Sequence, residues 1–213
     1  INVFLDIIKN GIQYETLCNI FLGIMKKIRN DNLKIEFTEN NLIGSLMSNN
    51  KIDITLFPTN EFVKFLDLLC EEYKMTNIIE MESGTGYFGH TMKYLCTTPY
   101  DFGDARMTPD STNGIYLQDN KNIHIVDYCN MGLNWAKTLP MISWMAPENY
   151  EDWKLFLDKC IPNMFIVIDN TELTNFDTDL FTEKYIVKKL NVKIVSRYDY
   201  FCGDRLVCAP KVY

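Results

Sequence analysis

Ile78-Ile79-Glu80-Met81-Glu82-Ser83-Gly84-Thr85-Gly86-Tyr87-Phe88-Gly89 is the stretch on which the reading of this chain turns. Its apolar start predicts a buried strand over Asn77 to Met81. A glycine-rich turn follows at once, and a helical pattern runs from Gly86 to Leu95. Strand, glycine turn and helix in that order set backbone N–H groups and a helix N-terminus at the mouth of a parallel sheet, where a nucleotide-like ligand fits. Gly84 and Gly86 permit unusual backbone angles and a close ligand approach. The spacing is not that of a P-loop, because no Gly-Lys-Ser/Thr follows, and Glu82 breaks the full dinucleotide fingerprint. A purely structural turn is the competing reading.

On the C-terminal side, apolar runs alternate with helical patterns, which predicts an α/β unit. A short, irregular second strand is expected near Asp101 to Ala105, after a segment rich in turn residues. Ile123 to Val126 reads as a third strand, Met141 to Met145 as a fourth and Met164 to Ile168 as a fifth. Between the last two, Asn149 to Leu157 reads as a helix with Trp153, Phe156 and Leu157 facing in. Leu180 to Leu190 reads as a further helix. Val192 to Ser196 and Arg205 to Cys208 read as two strands of a hairpin at a sheet edge. On the N-terminal side, Glu61 to Tyr73 is a clear helix with Thr59 as its N-cap and Phe62, Phe65, Leu66 and Leu69 facing inward. Residues 3–29 carry helical stripes, Leu33 to Phe37 alternates like a short strand, and Asn40 to Met47 suits a short helix. The expected organisation is a mainly helical N-terminal extension, 1–57, packed on a core domain, 58–213.

The chain has 213 residues, of which 47% are apolar and 13% aromatic, enough for a substantial core. Its 21 basic and 28 acidic residues leave a net charge of −7, which disfavours broad nucleic-acid binding. The apolar runs are too short to span a bilayer. Seven cysteines are scattered without a CxxC spacing, and they read as buried free thiols in a reducing, cytoplasmic setting rather than as a disulfide framework or metal knot. His90 and His124 belong to no metal-ligand pattern, and Ser83 lacks the context of a nucleophile elbow. Lys184, Lys188, Lys189 and Lys193 cluster near the C-terminal helical pattern. They read as a solvated basic face, with an RNA or phosphate-bearing partner as the alternative. Tyr198, Tyr200 and Phe201 suit a sheet-edge cover or a protein partner surface.

Glu80-Met81-Glu82-Ser83-Gly84-Thr85-Gly86-Tyr87-Phe88 resembles the first motif of the Rossmann-like S-adenosylmethionine-dependent methyltransferases, an acidic residue followed by Gly-x-Gly-x-Gly at the end of the first strand. Glu80 matches the acidic residue, Gly84 and Gly86 match two glycines, and Glu82 replaces the first. The resemblance covers roughly residues 58–213. It implies a three-layer α/β sandwich with a mostly parallel sheet and an antiparallel C-terminal hairpin, the Val192–Val207 pair being similar to the family's reversed last strand. It also implies S-adenosylmethionine as cofactor. Asp104, with Asp101 in reserve, matches the second-strand carboxylate that holds the ribose hydroxyls in a subset of the family. Asp127 matches a residue near the adenine amino group, with a solvated strand-end carboxylate as the bland alternative. Leu139 to Pro147 is similar to a fourth-strand motif that lines the methyl-transfer mouth, which makes Ser143 and Trp144 pocket residues; Met145-Ala146 interrupts that motif.

The implied cofactor set is therefore Glu80, Glu82, Gly84, Thr85, Gly86, Asp104 and Asp127. No metal is required. Methyl transfer places few demands on side chains, since the sulfonium carbon is already electrophilic and the protein must align a nucleophile and exclude water. Glu82 has two readings. It blocks the methionine end of the cofactor, or it swings to the surface or onto a cationic group. Two functions follow: an active methyltransferase on a small molecule, protein or RNA cap, and a catalytically inactive methyltransferase-like fold that serves as a binding or assembly module.

Overall fold

A computed structural model describes residues 10–30, 56–105, 121–143, 147–169, 179–182, 184–196, 200–202, 205–207 and 211–213. The predicted first strand, β2 (Asn77–Met81), lies inside a sheet. It pairs in parallel with β3 (Tyr100–Gly103) on one side and β4 (Thr138–Ser143) on the other. β5 (Ile166–Asp169) continues the parallel set beside β4, and the short β9 (Lys211–Val212) closes it antiparallel to β5. The order is β3-β2-β4-β5-β9. Strands covered on both faces read as near-continuous apolar runs, and β2, β4 and β5 do so.

Alternate residues of each strand feed two cores. Ile78, Leu139, Met141, Ile166 and Ile168 pack with α2 (Asn60–Tyr73) and α3 (Tyr87–Leu95) through Phe62, Leu66, Phe88 and Met92. Ile79, Met81, Ile142 and Val167 pack on the other side with the 3-10 turn Ile125–Asn130 and α4 (Tyr150–Cys160). Trp153 and Phe156 of α4 meet there edge to face, 5.5 Å between ring centroids. The result is a Rossmann-like three-layer α/β sandwich with a mixed sheet. Among the described residues no helix is long and apolar enough to cross a membrane.

α1 (Tyr14–Asn30) docks against the start of α2. The Asn60 N–H donates to the Ile12 carbonyl at 2.9 Å, and Phe21 packs edge to face on Phe57 at 5.4 Å. Thr59 caps α2 as expected. Its Oγ1 accepts the Phe62 N–H and itself donates to the Lys193 carbonyl.

Three expectations are corrected. Ile123 to Val126 is not a strand. Lys121 makes the parallel bridge to Gly103, and the chain then curls into the 3-10 turn. Ile125 and Tyr128, three apart, both face the core there, the eclipsed spacing that a 3-10 turn provides. The helix expected over Leu180 to Leu190 is confined to α5 (Asp179–Thr182). Beyond it Tyr185 and Val187 are half-buried, while Ile186 between them is 87% exposed, the alternation of extended chain. The C-terminal antiparallel hairpin is present, but it is formed by β7 (Tyr200–Cys202) and β8 (Arg205–Val207). β6 (Val195–Ser196) pairs instead with β1 (Leu56–Phe57), also antiparallel. Expectations on residues 3–9, 33–37 and 40–47 lie outside the described residues, as does Trp144.

Candidate functional site

β3 lies on one side of β2 and β4 on the other, so the chain reverses direction across the sheet after β3. The carboxyl ends of β2 and β4 flank that switch point, the place where open α/β sheets form a crevice. Polar groups gather at this edge. Glu80, Ser83, Thr85, Asp104, Ser143 and Asp169 are all buried there.

The glycine turn is built from left-handed backbone. Glu82, Gly84 and Gly86 have φ of 58°, 60° and 83°. Gly86 is the N-cap of α3 with no side-chain capping bond, so Gly86 and not a polar cap starts the helix. A Cβ on Gly84 would meet nothing within 4 Å, so its positive φ, not crowding, demands glycine. Ser83 N–H donates to the Gly103 carbonyl at 3.2 Å, and Gly84 N–H donates to Asp104 Oδ2 at 3.0 Å. The turn is thereby stitched to the end of β3.

Glu80 lies beneath the turn, 1% exposed, on the face shared with α3. The Tyr100 hydroxyl donates to its Oε2 at 3.0 Å, and the Ser143 hydroxyl reaches its Oε1 at 3.5 Å. Burial pushes the Glu80 carboxyl up to about 8. The bonds from Tyr100 and Ser143 oppose that shift, and the charge of Asp104 adds to it. Glu80 is therefore a neutral, hydrogen-bonded acid at pH 7. Gly89 fits above it. A Cβ there would lie 2.5 Å from Phe102 Cγ and 2.8 Å from Glu80 Oε2, so the third glycine of the quoted stretch lets α3 approach the sheet.

Glu82 leaves on the opposite face. Its carboxylate accepts from Asn149 Nδ2 and, at 3.2 Å, from Trp153 Nε1. It therefore sits at the start of α4, where the helix dipole favours an anion. The positive φ turns the side chain onto α4, away from the face of Glu80. These two partners are neutral donors of the protein itself.

Asp104 is 3% exposed and touches the glycine turn, whereas Asp101 is ion-paired to Lys121. Of the two carboxylates considered for the second strand, Asp104 is the one joined to the turn by a hydrogen bond. Thr85 is buried within the turn, and Ser143 ends β4 against Glu80. Asp127 sits on the 3-10 turn, not at a strand end, and its side chain is exposed.

No motif in the sequence singles out Tyr128. It is buried, and its hydroxyl has no hydrogen-bond partner among the described residues. That oxygen would lie 2.7 Å from a Cβ on Gly103, next to Asp104 in the chain. Burial, followed by the charges of Asp101, Glu80 and Asp104, pushes its phenol up. The one local signal for it is the three-residue spacing from Ile125.

Two clefts lie away from the turn. One of about 550 Å³ is lined by Asn60, Asp67, Leu95 and Thr97 among others, and one of about 410 Å³ by Leu69, Tyr73, Phe165 and Tyr185 among others. No cluster of three or more His, Cys, Asp or Glu suited to a metal ion occurs among the described residues. The chain matches no protein-family model, and no curated protein is significantly similar to it in sequence.

Proposed function

We propose that the chain binds S-adenosylmethionine at the carboxyl ends of β2 and β3 and acts as a methyltransferase. The observation that carries this reading is the left-handed Gly84–Gly86 turn placed at the switch point and joined to the buried Asp104 carboxylate. The antiparallel β9 beside β5 supports it, since the resemblance implies a reversed last strand, although that strand lies at Lys211–Val212 and not in the Val192–Val207 pair. The residues suit an adenosyl group. Gly84 offers open space above backbone, Asp104 offers a carboxylate able to hold ribose hydroxyls through charge-assisted bonds, and the unpartnered Tyr128 hydroxyl lies beside the same strand end. Bound there, the group supplies an electrophilic methyl on sulfur. Gly84, Thr85 and Gly86 would hold it by close backbone approach, Asp127 would face the adenine from the rim, and Ser143 and Trp144 would line the acceptor side. Glu80, neutral and buried, would support the turn from beneath. In this reading residues 58–213 form the catalytic domain and 1–57 an extension packed on it, and the methyl acceptor is a small molecule, a protein or an RNA.

One observation favours the binding or assembly module instead. The Gly84 N–H already occupies Asp104 Oδ2, and Glu82, in place of a glycine, ties the turn to α4. Calorimetric titration of S-adenosylmethionine and S-adenosylhomocysteine into the full chain decides between them. Micromolar binding that weakens at least about tenfold in Asp104→Ala, a loss of about 1.4 kcal/mol, is the expected result and would justify an acceptor screen. Absence of binding would leave the module. Glu82→Gly is expected to leave affinity unchanged, because Glu82 points at α4. A gain of binding in that variant would mean that Glu82 shuts the site.

A further inference from the structure

Cys129 and Cys160 come together from two elements that no local pattern joins. Cys129 lies in the 3-10 turn Ile125–Asn130, and Cys160 is the last residue of α4. Their sulfurs are 2.7 Å apart, closer than unbonded sulfurs pack and longer than a disulfide bond. Both residues are half-buried, so a small reagent can reach them, and neither is bonded in a disulfide. The two elements already pack in one core through Ile125, Tyr128, Phe156 and Leu157, with Cys129 and Cys160 packed against it.

We propose that Cys129 and Cys160 are a thiol–disulfide exchange site whose reactant is a low-molecular-weight disulfide such as glutathione disulfide. The Cys129 thiolate attacks one sulfur of the reactant and forms a mixed disulfide, and the first glutathione leaves as thiolate and takes up the proton that Cys129 lost. Cys160 then loses its proton, attacks Cys129 Sγ and releases the second glutathione, which takes up that proton. Two protein thiols are oxidised to one disulfide and one glutathione disulfide is reduced to two thiols, so atoms and electrons balance. Cys129 is the entry point because burial and the contact with Cys129 push the Cys160 thiol up to about 12, while the neighbouring Lys159 only partly opposes that. The thiolate is the nucleophile, so Cys160 acts second, after its neighbour's proton and charge have gone. The bond would tether the turn that carries Tyr128 to the end of α4, across 31 residues of chain.

The test needs no cofactor and so stands apart from the methyltransferase reading. The purified full chain is equilibrated with glutathione disulfide, then analysed by intact mass and by non-reducing peptide mapping. The expected product has lost two hydrogen atoms and yields one cross-linked peptide joining Cys129 to Cys160. Its Tm is expected to rise by about 5–10 °C over the reduced chain. Cys160→Ser should stop at a glutathione adduct on Cys129, and neither single variant should form the cross-linked peptide. A native chain that forms no Cys129–Cys160 link would overturn the proposal. So would an equal Tm rise in the folded double variant Cys129→Ser/Cys160→Ser, since the stabilising bond would then lie elsewhere.

Discussion

Glu82 shows how one side chain can oppose its own backbone and still be retained. A non-glycine residue at φ 58° costs about 1–2 kcal/mol relative to glycine. Against that stand the bonds its carboxylate accepts from Asn149 and from the buried indole of Trp153. Leaving a buried donor unsatisfied costs about 1–3 kcal/mol. Glu82→Ala keeps the strained backbone and loses both bonds, so it should destabilise by about 2–3 kcal/mol. Glu82→Gly loses the same bonds but relieves the strain, and should cost about 1 kcal/mol less than the alanine variant. Urea unfolding of the three chains measures both differences. If the glycine variant were as unstable as the alanine variant, the backbone at 82 would not be strained.

Two glycines in helices make different predictions, because one element is packed and the other is open. Gly23 lies in α1, where an added methyl would meet nothing within 4 Å, and glycine inside a helix costs about 1 kcal/mol relative to alanine. Gly23→Ala should therefore stabilise by about that amount. Gly89 lies in α3, where a Cβ would overlap Phe102 at 2.5 and 2.7 Å. Phe102 is itself buried in β3, so α3 must lift from the sheet, and overpacking of about 1–3 kcal/mol cancels or exceeds the helical gain. Gly89→Ala should leave Tm unchanged or lower it while Gly23→Ala raises it, and two rises in a thermal melt would show that α3 has room to move. The same contrast explains which elements were legible. α2 and α4 announced themselves through a capping threonine and through apolar stripes that the structure buries. The expected third strand and the long helix after Leu180 misled because four to eleven mixed residues fit several local geometries, and only tertiary packing chose the 3-10 turn and the extended chain.

The candidate site was legible where backbone chemistry decides it and illegible where distant segments meet. Glycines after an apolar run announced the turn, whereas Asp104 was named only through the resemblance to the methyltransferase second-strand carboxylate, with Asp101 in reserve. Nothing local foretold that Glu82 would meet Trp153, that Tyr128 would back Gly103, or that Glu80 would be sealed between Tyr100 and Ser143. That last burial reaches the stability of the entire fold. The Glu80 carboxyl titrates at about 8 when folded, against an ordinary value of 4.5. Below about pH 4.5 both folded and unfolded chains hold the proton, and the neutral acid contributes its full stabilisation. Between 4.5 and 8 only the folded chain keeps it, so stability falls with rising pH by about 1.4 kcal/mol per unit. Above 8 both states are ionised and the loss levels off. Glu80→Gln carries no proton to lose and retains a side chain able to hydrogen-bond to Tyr100 and Ser143. Urea unfolding at about pH 5.5 and about pH 8 should show the native chain losing about 3 kcal/mol more than Glu80→Gln between the two conditions. Parallel losses in both chains would mean that Glu80 is already ionised in the folded state at the lower pH, and the buried acid would not be what makes this fold sensitive to alkali.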